Sequence, residues 1–263
     1  MDVEKLFEIK SLSKSFTKGK SEVSIFSNLN MDINQGDFLV IMGPSGSGKT
    51  TLLNLIGGID KPTQGSVLYR GREYHGTAEA ELSAWRAQHV GFVFQSFNLM
   101  PMLSAAGNVE LPLLLRQLTR RQRREKVMAA LELVGLVDRK GHKPNEMSGG
   151  QNQRVAVARA IVGDPDILLC DEPTGNLDRE TATEVLDILR LLNQEFKKTI
   201  IMVTHDPLAA QYAKHRVELD KGVIVNKEAV VIKEEVVTQK ASNIKIDTAG
   251  VSGELVAEKG VVT

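Results

Sequence analysis

Apolar and polar positions divide the chain into a strand-rich beginning, a helical middle and a strand-rich end. Over residues 6 to 33 short apolar segments (LFEIKSL, VSIFSNL, MDI) are set between clusters of Gly, Ser and Asn, a pattern that predicts antiparallel strands. FLVIM, residues 38 to 42, is a continuous apolar run and predicts a short buried strand that feeds directly into a Gly-rich loop. TLLNLIGGI then shows helical spacing, with Gly57 and Gly58 near its end. GSVLYRGREY (65 to 74) predicts a hairpin and VGFVFQ (90 to 95) a core strand.

From about Leu103 to Val162 the spacing becomes helical. Thr119 is the expected N-cap of a helix whose apolar positions Val127, Leu131 and Val134 recur at spacings of four and three, and Gly135 is its expected stop. Strand patterns resume at ILLCDEP (167 to 173) and TIIMVTHD (199 to 206), with a helix expected between them from Glu180 to about Glu195. VELDKGVIVN (217 to 226) predicts a closing hairpin. From about Lys227 onward no period is sustained, and a short strand or two or a loose tail is expected.

Composition narrows the function classes. Lys and Arg number 33 and Asp and Glu 33, so no net field draws nucleic acid or an anionic membrane. The Arg and Lys cluster at 120 to 126 lies on the polar face of an amphipathic helix without interleaved aromatics, and reads as a solvated face. A single cysteine, Cys170, excludes an internal disulfide and a Cys-rich zinc site. MDVEKLFEIK lacks the apolar block of a secretory signal, so a cytosolic location is expected, and no apolar run approaches the roughly 20 residues that span a bilayer.

Against this background GPSGSGKT, residues 43 to 50, changes the picture. It satisfies the pattern of Gly, four residues, Gly, Lys, Thr, in the strand, loop and helix context that the pattern requires. Gly43, Gly46 and Gly48 let backbone N–H groups of the loop converge on the β- and γ-phosphates of a nucleoside triphosphate, and Pro44, Ser45 and Ser47 complete the nucleotide-binding loop. Lys49 supplies positive charge and the Thr50 hydroxyl suits Mg2+. Ligands of open α/β sheets sit beyond the carboxyl ends of the strands, where ILLCDEP presents Asp171, placed for Mg2+, and Glu172, placed to accept a proton from the attacking water. His205 ends TIIMVT, where it can orient Glu172 or the water, and Gln95 ends VGFVF, where its amide oxygen can reach metal or water.

MSGGQNQR, 147 to 154, raises a separate question, because Ser followed by two glycines at a helix start also receives anions. It is either a plain helix N-cap or a second phosphate receptor that serves the nucleotide of another copy in a head-to-tail pair.

GPSGSGKT, Gln95, MSGGQ, ILLCDEP, the NLD at 176 to 178 and His205 occur in the order and approximate spacing of the ATP-binding cassette ATPases, which the chain resembles over residues 6 to about 226. The resemblance implies an α/β P-loop NTPase fold: a RecA-like core with an antiparallel β subdomain and an α-helical subdomain at about 96–162. Residues 1–226 would form the ATPase domain and 227–263 a C-terminal extension. It implies ATP and Mg2+ as ligands, with Thr50, Gln95 and Asp171 toward the metal, nucleotide contacts running on to Thr51, and Glu172 and His205 as catalytic residues. Phe16 would stack on adenine, and Ser148, Gly149, Gly150 and Gln151 would contact the partner's nucleotide in a homodimer that sandwiches two ATP molecules. Asn176, Leu177 and Asp178 would lie across that interface. Met147 and Cys170 depart from the usual residues but keep apolar bulk.

DEPTGNLD together with NVELPLLL (108 to 115) resembles the lipoprotein-releasing, macrolide-export and cell-division group. That likeness implies an integral-membrane permease docking near Phe97–Leu103, with Phe97, Leu99, Met100 and Met102 as exposed apolar contacts, and a peripheral place on the cytoplasmic face of the inner membrane. An importer ATPase is the alternative. A soluble cassette acting on nucleic acid is disfavoured, since the chain has one Gly-rich loop, one SGGQ and one cysteine. A nucleotide kinase or switch GTPase would leave MSGGQNQR and NLD unused.

Overall fold

The computed structural model describes residues 4–19 and 21–230. The expected tail is therefore described only as far as 230, and its remainder lies outside the described residues.

The alternating segments at the start form two strands of 14 residues, β1 (Lys5–Lys18) and β2 (Ser21–Asn34), paired antiparallel. The polar clusters expected to separate strands instead lie within them as bulges. Ser11 and Asn28 adopt left-handed φ values of 48° and 58°, and the β1–β2 register shifts between Ile9 and Leu12 and again between Leu12 and Lys14. The expected hairpin is present as β3 (Phe38–Met42)'s successors β4 (Gln64–Tyr69) and β5 (Arg72–Glu73), which complete a four-stranded sheet in the order β2-β1-β4-β5.

A second sheet carries the core. With β6 (Val90–Phe94), β7 (Ile167–Asp171), β8 (Thr199–Val203), β9 (His215–Asp220) and β10 (Val223–Ala229), β3 forms six strands in the order β10-β9-β3-β8-β7-β6. All neighbours are parallel except β9 and β10. The continuous apolar runs follow from burial on both faces. Val40, Leu168, Cys170, Ile200 and Met202 point into one core with the helical region. Leu39, Ile41, Ile167, Leu169, Ile201 and Val203 point into the other, against the antiparallel sheet and helix α1 (Lys49–Ile56).

VGFVF is a strand that contributes Val93 to the core, as expected, and among the described residues it pairs with β7 alone, at the edge of this sheet. The closing hairpin is longer than 217–226, running from His215 to Ala229. The sequence reading missed α2 (Glu79–His89), which buries Leu82 as its one fully enclosed side chain.

The helical region contains α3 (Ala105–Glu110), α4 (Arg120–Leu133) and α5 (Gly149–Ile161). Thr119 caps α4 as expected, in a reciprocal capping box with Gln122, and Gly135 follows it at φ +68°. Helix α6 (Arg179–Gln194) lies between β7 and β8, and a single turn, α7 (Pro207–Ala210), follows β8. Among the described residues no helix is long and apolar enough to cross a membrane.

The two sheets and α2 are braced at the end of the molecule opposite the Gly-rich loop. Tyr69 Oη donates to Asp166 Oδ2 at 2.9 Å, the His89 Nδ1 to Asp166 Oδ2 distance is 2.9 Å, and Arg70 stands 3.7 Å away. The His89 hydrogen bond leads in holding the Asp166 carboxyl down, to about 2. A depressed carboxyl stabilises the folded state above its unfolded pKa and ceases to do so as pH falls through the folded value. Asp166→Asn is expected to lower Tm at neutral pH, with the difference from wild type narrowing between pH 3.8 and about 2, as read by melting curves across that range.

Candidate functional site

The strand-to-helix junction after β3 sets the position of the loop. Gly43 has φ +153°, and a Cβ there would lie 2.0 Å from the Leu219 carbonyl oxygen, so β9 runs too close for any side chain. Gly48, the residue before α1, has φ +97°, and its Cβ would meet the Phe26 ring at 2.7 Å. Both glycines are therefore required by close backbone approach as well as by conformation. Lys49 is buried to 8 % exposure and its Nζ donates to the carbonyls of Gly43 (2.8 Å) and Pro44 (2.9 Å), bridging the loop's mouth.

The ends of β7 and β8 face this loop. Thr50 Oγ1 donates to Asp171 Oδ1 at 3.0 Å, which joins the start of α1 to the end of β7. Burial leads in raising the Asp171 carboxyl, the neighbouring Glu172 adds to the rise, and the Thr50 hydrogen bond and Lys49 oppose it. Glu172 adopts a left-handed φ of 46°, an unfavourable conformation for a residue with a side chain. Its N–H donates to Val203 O at 2.9 Å and its carbonyl accepts from Gly175 N at 3.0 Å. The carboxylate Oε1 lies 3.1 Å from His205 Nδ1.

An open cleft of about 660 Å3 lies here, bounded by Ile25, Ser45, Gly46, Gly48, Lys49, Thr50, Thr51, Glu172 and His205, while Gly43, Pro44 and Asp171 stand behind its lining. Ser47 is buried beneath the loop, its N–H bonded to Pro44 O at 3.2 Å. Ile25 was missed in the sequence reading. It lies two residues along β2 from Val23, the register partner of Phe16, so a pairing of the first two segments would have directed attention to it.

Other expected residues stand outside the cleft lining. Phe16 is 43 % exposed on β1, with Lys14 Nζ 4.6 Å from its ring centroid. Gln95 follows the edge strand β6, and its Nε2 donates to Asn176 Oδ1 at 3.2 Å while Asn176 Nδ2 donates to Gln95 O at 3.2 Å. A Cβ on Gly175 would come within 2.7 Å of Gln95 Nε2 and 3.3 Å of Glu172 Oε2, so these two side chains flank the same backbone. Asp178 is the N-cap of α6, accepting from Thr181 N at 3.0 Å.

Ser148, Gly149, Gly150 and Gln151 form the start of α5. Ser148 is its N-cap: Oγ accepts from Gln151 N at 3.2 Å and Ser148 N donates to Gln151 Oε1 at 3.0 Å. Gly150 packs against α6, where an added Cβ would lie 1.9 Å from Thr181 Cγ2, whereas at Gly149 the nearest atoms would be 3.7 and 3.8 Å away.

The segment after Gln95 differs in part from expectation. Met100 and Met102 are 53 % and 78 % exposed, but Phe97 and Leu99 are partly buried, with Leu99 packed on the helical core. Phe97 and Asn98 take left-handed φ values of 58° and 48°. Arg159 of α5 holds this turn by donating to Phe97 O at 2.8 Å and Asn98 O at 2.5 Å, and burial lowers its pKa from the ordinary guanidinium range.

Residues 26–175 match the ABC transporter family. The chain is 46% identical over 218 residues to the macrolide export ATP-binding/permease protein MacB of Rhodopseudomonas palustris, covering 83% of this chain and 33% of that protein. The chain therefore spans about a third of that relative's length. It is 41% identical over 227 residues to an uncharacterized ABC transporter ATP-binding protein, MJ0796, of Methanocaldococcus jannaschii, covering 85% of this chain and 97% of that one. The dimeric structure of MJ0796 in a post-hydrolysis state with ADP and Pi superposes with TM-score 0.80 at 39% identity, over 86% of this chain and 99% of that one.

Proposed function

The chain belongs to the ABC transporter family and is an ATPase of that family, and from this premise we propose that two copies close around two ATP molecules and reopen after hydrolysis to drive a membrane permease. The observation that carries this reading is the separation of two anion-receiving helix starts. The cleft at α1 is lined by Ser45, Gly46, Gly48, Lys49, Thr50, Thr51, Glu172 and His205, and Ser148–Gln151 are not among its lining residues. A second receptor with no place at its own chain's nucleotide fits a nucleotide held by another copy.

In each cleft the loop amides and Lys49 bind the phosphates, and Phe16 offers its exposed ring to adenine. The paired oxygens of Thr50 and Asp171 fit Mg2+, a hard cation that needs few protein ligands when phosphates supply the rest, and Gln95 adds its amide oxygen. When bound, Mg2+ neutralises charge on the phosphates. Glu172 accepts a proton from the attacking water, and His205, 3.1 Å from its carboxylate, holds it in orientation. Asn176, Leu177 and Asp178 face the partner copy.

Residues 1–226 form the ATPase domain in this reading, with a helical subdomain at about 96–162, and 227–263 form an extension. Each copy meets an integral-membrane permease near Phe97–Leu103 through Met100 and Met102, which places the pair peripherally on the cytoplasmic face of the membrane. The likeness to MacB supports an export or mechanotransmission system over an importer, with lipoprotein, lipid, peptide or drug chosen by the permease.

The test is complementation between two inactive chains. Ser148→Arg and Lys49→Ala proteins should each lack turnover alone, yet regain MgATP hydrolysis when mixed, because one composite site of the mixed pair has an intact loop from one chain and an intact Ser148 from the other. Failure of mixing to restore any hydrolysis would contradict the trans arrangement.

A further inference from the structure

Gln153 lies on α5 one turn beyond the residues that face the partner's nucleotide, about 6 Å along the axis from Gly149. It is fully buried, at 0 % exposure, in a position where an apolar residue would be the ordinary occupant. Its Nε2 donates to the carbonyl of Pro173 at 2.6 Å, and among the described residues its Oε1 has no hydrogen-bond partner. The side chain is therefore enclosed at the expense of one polar atom, and the bond it does make is to the carbonyl of the residue directly after Glu172.

We propose that Gln153 is a positioning residue that couples the two nucleotide sites, joining the turn of α5 that serves the partner's ATP to the backbone that carries this chain's Glu172. The proposal rests on the sandwich reading above. Glu172 is in a left-handed conformation that its surroundings must hold. Its N–H is tied to β8 through Val203 and its carbonyl to Gly175 within its own turn. The Pro173 carbonyl is tied to the helical region, through Gln153. Helix α5 is also seated sideways on α6 by Gly150 against Thr181 and by Arg154 at 3.6 Å from Glu184. A displacement of its N-terminal turn on engaging phosphate is thereby passed to Pro173, and with it to the angle at which the Glu172 carboxylate meets water. Occupancy of the partner's site thus adjusts hydrolysis at this one, a coupling free energy between two sites in the strict sense.

The test uses the full chain with MgATP, in wild type, Gln153→Leu, and the unbranched Gln153→Met should the first not fold. Affinity for a fluorescent ATP analogue, ATP-induced dimerisation in a Glu172→Gln background, steady-state hydrolysis against ATP concentration and thermal melting are measured together. The expected result is unchanged affinity and dimerisation, turnover lower by roughly 10- to 100-fold, as for a catalytic group misplaced by a fraction of an ångström to an ångström, and an ATP dependence that flattens from sigmoidal to hyperbolic. Wild-type turnover with a wild-type sigmoid overturns the proposal. So does a loss of activity that tracks a lowered Tm and is recovered by assay at lower temperature, since that is a role in folding alone. A Glu172→Gln chain that stays monomeric in MgATP overturns the sandwich reading, and this proposal with it, whereas either preceding result with dimerisation intact overturns the coupling only.

Discussion

Lys49→Ala is expected to weaken nucleotide binding by at least ~100-fold and to abolish hydrolysis. A charge-assisted hydrogen bond contributes about 1.5–3 kcal/mol, about 10- to 150-fold in affinity, and the ammonium is placed to make more than one to a triphosphate. The same side chain bridges the carbonyls of Gly43 and Pro44, so its removal also releases the loop whose amides form the cradle. Titration with a fluorescent ATP analogue and a phosphate-release assay measure the two effects separately. Full ATPase activity in this variant would contradict the site assignment.

The second large effect is expected at Glu172. Glu172→Gln keeps the size and leaves an amide beside His205, but removes the base, and general base catalysis typically supplies 10²- to 10⁴-fold, so turnover is expected to fall by roughly that factor. Binding should survive. The loop, Lys49 and the Thr50–Asp171 pair, which are placed to hold the nucleotide and its metal, are untouched by the substitution. The variant is therefore expected to collect as an ATP-bound dimer on a sizing column, while wild type cycles back to monomer. A Glu172→Gln chain that hydrolyses ATP at the wild-type rate would remove Glu172 from the role of base.

Strands β3, β7 and β8 were legible because burial on both faces leaves an unbroken apolar run, and the loop because its glycines have no substitute near Leu219 and Phe26. Helix α4 announced itself through Thr119 and its three spaced apolar positions. What escaped had weak or absent local signal. Helix α2 fully encloses only Leu82, so its sequence carries almost no stripe. The edge position of β6 depends on crossover order across the whole sheet, which no local pattern contains. The interruptions at Ser11 and Asn28 look like turns because a bulge and a turn both use residues that tolerate left-handed backbone. Gln153 escaped because polarity in a helix ordinarily signals exposure, and here it is enclosed to reach a carbonyl distant in sequence.

The two glycines that open α5 answer to different constraints, which decides what an experiment on each would mean. Gly150 has no room for a methyl group against Thr181, so an inactive Gly150 variant reports first on the seam between α5 and α6 within one chain. Ser148 is likewise ambiguous, since it closes the capping box with Gln151. Gly149 alone of the three has ordinary van der Waals clearance and makes no cap. It is the position at which a genetic lesion can be read as a message about the neighbouring molecule and not about this one.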